Sequence, residues 1–117
     1  MNDAEIFERL INVATSAGVR KICLCEFRAC YGVLLGRDIA LDMRLSLGYM
    51  NYTLAHELAH VFLHYDKGDI MKSDQHDDYE EQADRAARLL LCAVSGMSRE
   101  EVDHYVREKK GFLPTAG

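Results

Sequence analysis

The sequence predicts one α+β domain over residues 1–117, with helices packed on a small antiparallel sheet. Three observations predict it. Apolar residues recur at three- and four-residue intervals near the start and over the second half, while β-rich segments crowd into residues 19–43. No repeat, low-complexity tract or Pro/Gly linker divides the 117 residues, and Pro114 is the only proline. A chain of this length buries roughly two-thirds of its unfolded surface, enough for a single core.

The elements follow in order. Residues 3–17 place Ile6, Phe7, Leu10, Ile11, Val13 and Ala14 on one helical stripe, and Gly18 is a natural stop. Val19 to Phe27 and Tyr31 to Leu35 read as strands, and Gly36-Arg37-Asp38 as a turn into a third, Ile39 to Met43. A long helix is predicted from about Gly48 to Tyr65, closed by Asp66-Lys67-Gly68-Asp69. The next begins at Asp77 or Asp78 and runs through Leu91. Ser98-Arg99-Glu100-Glu101 is a capping box opening a last helix that Gly111 ends.

Composition narrows the function class. With 49% hydrophobic and 28% charged residues the chain reads as an ordinary soluble globular protein. A net charge of -5 with scattered Lys and Arg argues against direct binding to nucleic acid. Met1-Asn2-Asp3-Ala4-Glu5 carries acids where a signal peptide carries Lys or Arg, and no apolar run approaches the roughly 20 residues that span a bilayer. A cytoplasmic protein without a membrane partner is expected. Cys23, Cys25, Cys30 and Cys92 are then expected as reduced core thiols.

The chemistry concentrates at His56-Glu57-Leu58-Ala59-His60. Positions four apart on a helix lie about 40° from each other and one turn up, so both imidazoles can reach one ion. Glu57 falls beside that ion and suits a base that takes a proton from zinc-bound water, whose pKa the metal lowers to about 7. Catalytic zinc usually has a third protein ligand, and Glu80-Glu81-Gln82-Ala83-Asp84 offers one on a second helix. Glu80 and Asp84 share a face, so Glu80 can ligate while Asp84 accepts the second N–H of a ligating histidine. Glu81 competes with Glu80, but its spacing from Asp78 also suits the reciprocal partner of an N-cap there. Ala55 and Ala59, facing Ala83 and Ala87, would let the two backbones approach closely. His64 lies a turn further on, about 80° from His56, which favours a supporting or helix-end role over ligation. His76 is expected in solvent and His104 on the outside of the last helix. Tyr49, Tyr52, Tyr65 and Tyr79 lie near enough in sequence to assist an oxyanion, and none stands out.

From Tyr52-Thr53-Leu54-Ala55-His56-Glu57-Leu58-Ala59-His60-Val61-Phe62-Leu63-His64, followed by Glu80-x-x-Ala83-Asp84-Arg85-x-Ala87-x-Leu89-Leu90, the chain resembles the ImmA/IrrE family of small zinc metallopeptidases. Arg37-Asp38-Ile39-Ala40-Leu41 resembles the short strand this family places before its metal helix. The resemblance spans residues 37 to 91. It implies a zincin-like fold, Zn²⁺ on His56, His60 and Glu80, and Glu57 as the catalytic base. It also implies a partner, a helix-turn-helix repressor of a mobile element or stress response, cut to release transcription. The chain departs from the family after Leu91, reading Cys92-Ala93-Val94 where Met-Pro is common. Neither an N-terminal DNA-binding domain nor a C-terminal sensor domain is read in it, so a built-in sensor is not expected. The main alternative is a metal-stabilised antirepressor that binds without turnover. A third is a housekeeping peptidase, similar through Glu-x-x-Ala-Asp to membrane-bound zinc peptidases but without their spanning helices.

Overall fold

Asn2 opens the first helix, α1 (Asp3–Ser16), by accepting from the Glu5 backbone N–H at 2.8 Å while the Glu5 side chain returns to the Asn2 N–H. The computed structural model describes residues 1–64 and 74–112. Three strands follow: β1 (Lys21–Cys25), β2 (Gly32–Leu35) and β3 (Asp38–Asp42). Three helices complete the chain, α2 (Leu47–His64), α3 (His76–Ser95) and α4 (Arg99–Lys109). The predicted Tyr65 end of α2 and the Asp66–Asp69 closure lie outside the described residues, as does Pro114.

The class is the expected one, α+β in a single domain, but the sheet is mixed rather than antiparallel. Its order is β1-β3-β2. β2 and β3 form a hairpin around Gly36-Arg37, with Gly36 at φ 63° as such a tight turn requires. β1 pairs parallel to β3, with Ile22 opposite Ile39 and Leu24 opposite Leu41. A buried clasp explains this pairing. Asp42 is fully buried, accepts from the Phe27 and Arg44 backbone N–H groups at 3.1 and 2.9 Å, and pairs with the Arg44 guanidinium at 2.7 Å. Arg44 also donates to the Phe27 carbonyl at 2.7 Å. The chain leaving β1 is thereby tied to the far end of β3, leaving β2 to close against β3's other edge.

The long helix α2 is the centre of the fold and packs against α1, α3, α4, β2 and β3. Ser46 starts it, accepting from the Tyr49 N–H while its hydroxyl donates to the Lys109 carbonyl. Ile6 and Leu10 of α1, Ile39 and Leu41 of β3, Leu54 and Leu58 of α2, Leu91 of α3 and Val102 of α4 form one core, each at most 2% exposed. Burying a leucine or isoleucine side chain is worth about 1.5–3 kcal/mol, so this cluster fixes how α2 is rolled. Asn51 of α2, also buried, donates to the Asp3 carbonyl and to Tyr105 Oη. α3 starts earlier than expected, with Gln75 as its N-cap, so Asp78 is not a cap and Glu81 is not a cap partner. Glu81 instead pairs with Arg85 one turn on. The Ser98–Glu101 capping box opens α4 as its sequence predicts.

Candidate metal centre

The small residues Ala55, Ala59, Ala83 and Ala87 are all buried, at most 3% exposed, and let α2 and α3 lie close together. Three donor groups meet across that seam. His56 Nε2 stands 2.8 Å from Glu80 Oε2, and His60 Nε2 stands 2.9 Å from Glu80 Oε1. The two imidazole rings are 4.9 Å apart at an interplanar angle of 75°. One ligand atom from each of the three residues lies within 4.8 Å of the others, a group able to hold a metal ion. Its chemistry fits one. Carboxylate oxygens have no hydrogen to give, so each imidazole nitrogen directed at them either donates its own N–H or shares a metal with the oxygen it faces. Two nitrogens and one carboxylate match the donor set of a catalytic zinc site with an open position.

Electrostatics follow the geometry. Hydrogen bonds from His56 and His60 hold the Glu80 carboxyl far below the ordinary carboxylate range. Burial opposes charge on His56, yet the Glu80 hydrogen bond and the carboxylates of Glu57, Glu80 and Asp84 together raise its pKa. Glu57 is 8% exposed, and burial pushes its carboxyl up against the pull of His56 and His60. Glu57 lies one turn after Thr53, whose side chain touches β2. A Cβ at Gly32 would stand 2.7 Å from Thr53 Cγ2, so glycine is what admits β2 this close to α2. Glu57 is therefore on the side of α2 that faces the sheet, and His56 and His60 are on the side that faces α3. Burial and the Glu57 charge both raise the pKa of the Cys30 thiol, just before β2.

The residues around the cluster sort differently from their expected roles. The Asp84 carboxylate, expected to accept a histidine N–H, accepts from Tyr52 Oη and from Arg88 Nε at 3.1 Å. Its connection to the site runs through the Tyr52 ring, 5.9 Å from the His56 ring. His56 Nδ1 is one of two buried side-chain polar atoms without a partner among the described residues. His60 is supported: its Nδ1 lies 3.0 Å from His64 Nδ1, and His64 Nε2 lies 2.8 Å from Gln82 Oε1. Nothing in the sequence singled out Gln82. Its position two residues after Glu80 gives no signal without the helix crossing. His76, expected in solvent, is the first residue of α3, half-buried, with Nε2 4.0 Å from Glu80 Oε1. His104 is exposed and pairs with Glu108. The Tyr79 hydroxyl donates to Gln75 and its ring covers His64 at 4.5 Å, while Tyr49 stacks on Tyr52. Tyr65 lies outside the described residues. The four cysteines are free; Cys92 packs against the core, Cys23 and Cys25 are half-buried outside it and Cys30 is exposed, so the expectation of core thiols fits Cys92 alone.

No helix among the described residues is long and apolar enough to cross a membrane. No curated protein and no solved structure matches the chain significantly. A model of the IrrE N-terminal-like domain, peptidase family M78, matches residues 3–106, which covers all four helices and all three strands save the end of α4. The chain belongs to this IrrE N-terminal-like family of M78 peptidases, and its membership implies a peptidase acting on protein.

Proposed function

We propose that the protein is a zinc-dependent endopeptidase in which His56, His60 and Glu80 hold the metal and Glu57 is the catalytic base. One observation carries this reading: two imidazole nitrogens meet a single carboxylate at 2.8 and 2.9 Å while a second, buried carboxylate sits one residue from the first histidine. When bound there, zinc would acidify a water and polarise the scissile carbonyl. Glu57 takes the proton from the attacking water and delivers it to the leaving amine. A carboxyl pushed up by burial suits both steps, since it must gain and lose a proton near neutral pH. Asp84 steadies the His56 side of the site through Tyr52.

The substrate peptide is assigned to the open edge of β2. β2 pairs on one side with β3, its other edge pairs with no strand among the described residues, and it touches α2 one turn before Glu57. An extended segment added there would lie alongside β2 as a further strand, near the side of α2 that carries Glu57, with main-chain bonds supplying affinity. The resemblance to ImmA/IrrE peptidases makes a helix-turn-helix repressor the substrate of choice, and a cytoplasmic site of action follows from that choice. The test is to co-express the chain with a neighbouring repressor and follow repressor length and promoter output for wild type and Glu57→Gln. Wild type should shorten the repressor and derepress, and Glu57→Gln should do neither. Equal derepression by both with intact repressor would replace proteolysis with binding as the mechanism.

A further inference from the structure

The mechanism above uses neither His64 nor Gln82, although His64 is 2% exposed and both its nitrogens are engaged. Burying an imidazole without partners is costly, and this one has two, arranged in line between α2 and α3. An amide oxygen accepts and never donates, so the proton of the bond to Gln82 Oε1 sits on His64 Nε2. A neutral imidazole has one N–H, which leaves His64 Nδ1 as an acceptor. His60 Nδ1, 3.0 Å away, must then donate to it. With Nδ1–H committed, His60 Nε2 faces Glu80 Oε1 at 2.9 Å either as a second ring N–H, which makes the metal-free ring an imidazolium, or as the lone pair a metal would take.

We propose that His64, held by Gln82, is the positioning residue of His60: the relay keeps the proton on His60 Nδ1 and turns Nε2 toward the metal position. The assignment rests on the zinc reading given above for its consequence, and on the described hydrogen bonds for its existence. His56 has no such relay among the described residues, because its Nδ1 meets no partner there and Asp84 is occupied by Tyr52 and Arg88. The Tyr79 ring, 4.5 Å from the His64 ring, covers the relay on the α3 side.

Two measurements on the full chain test it. The first is a nitrogen-15 correlation spectrum of the imidazoles in the metal-free protein, which reports the site of each ring proton whether or not zinc ever binds. His60 Nδ1 and His64 Nε2 should carry protons, and Gln82→Leu should lose the fixed assignment at His64. The second is a Zn²⁺ titration against a chromophoric chelator. His64→Leu should weaken Zn²⁺ by about 10- to 100-fold, as loss of a hydrogen-bonded support to a ligating histidine typically does. Gln82 is exposed, so Gln82→Leu leaves the core intact, and its loss should be about 10-fold. His64→Gln offers an amide oxygen to His60 and an amide N–H to Gln82, and should recover to within about threefold of wild type. A bare Nδ1 on His60 overturns the proposal, as does wild-type Zn²⁺ affinity in both leucine variants. A wild-type chain that binds no Zn²⁺ but shows the predicted ring protons would overturn the zinc reading and leave the relay standing.

Discussion

His56 and His60 are one helical turn apart on α2 and reach the same carboxylate at nearly the same distance, yet their surroundings differ. His60 is 5% exposed and backed by a polar chain through His64 to Gln82. His56 is backed by an aromatic ring, Tyr52, and its second nitrogen meets no polar group among the described residues. Two histidines spaced four residues apart on one helix and facing one carboxylate need not be supported symmetrically. The half nearer the helix end is fixed by directional hydrogen bonds, and the half nearer the helix centre by packing plus an anion one shell away, Asp84.

The largest expected effect removes either side of the pair. His56→Ala and His60→Ala should each drop zinc from about one ion per chain to little or none, as elemental analysis of purified protein would show. Full occupancy in either variant would mean that the two rings do not share one ion. A smaller effect probes the packed half. Asp84→Ala frees Tyr52 and Arg88 and should weaken Zn²⁺ by about 10-fold, the low end for an indirect support. Equal affinity in wild type and Asp84→Ala would detach Asp84 from the site.

Next comes a change meant to leave both histidines alone. Arg44, by side-chain hydrogen bonding, holds the Asp42 carboxyl far below the ordinary carboxylate range. A depressed folded-state pKa contributes stability above the unfolded value of about 4, and that contribution fades as pH falls toward the folded value. Asp42→Asn should therefore lower the melting temperature at neutral pH and flatten its decline on acidification, with Zn²⁺ affinity of the folded protein unchanged. A parallel loss of zinc would tie the clasp to the site. The smallest effect belongs to Glu81, which pairs with Arg85 away from the histidines. Glu81→Gln should bind Zn²⁺ as wild type does, and weakened binding there would reopen the choice between Glu80 and Glu81.

How much of this was legible in the sequence varies with the range of the interaction. His56, Glu57 and His60 lie within one helical turn, so local periodicity alone places them together. Glu80 was reachable because residues four apart on a helix share a face and the alanines mark a close crossing. The sheet was misjudged, because strand order depends on Asp42 clasping Phe27 and Arg44, at sequence separations of 15 and 2. Pattern readings of single strands contain no trace of that clasp. Asp84 was given a histidine partner because spacing fixes a face but not which neighbour on the facing helix reaches it first, and Tyr52 does. Gln82 was invisible for the same reason. The capping box at Ser98–Glu101 is local and stands in the sequence as plainly as in the structure, whereas the one at Asn2–Glu5, equally local, emerged only from the structure.

The central claim gives Glu80 to the metal and Glu57 to the reacting water, and one paired comparison separates those roles most directly. Purified wild type, Glu57→Gln and Glu80→Gln would be assayed together for bound zinc and for cleavage of the repressor. Wild type and Glu57→Gln should each hold about one zinc per chain, with cleavage in wild type only, and Glu80→Gln should lose both zinc and cleavage. Glu57→Gln that cuts at the wild-type rate, or Glu80→Gln that retains its zinc, would contradict these roles.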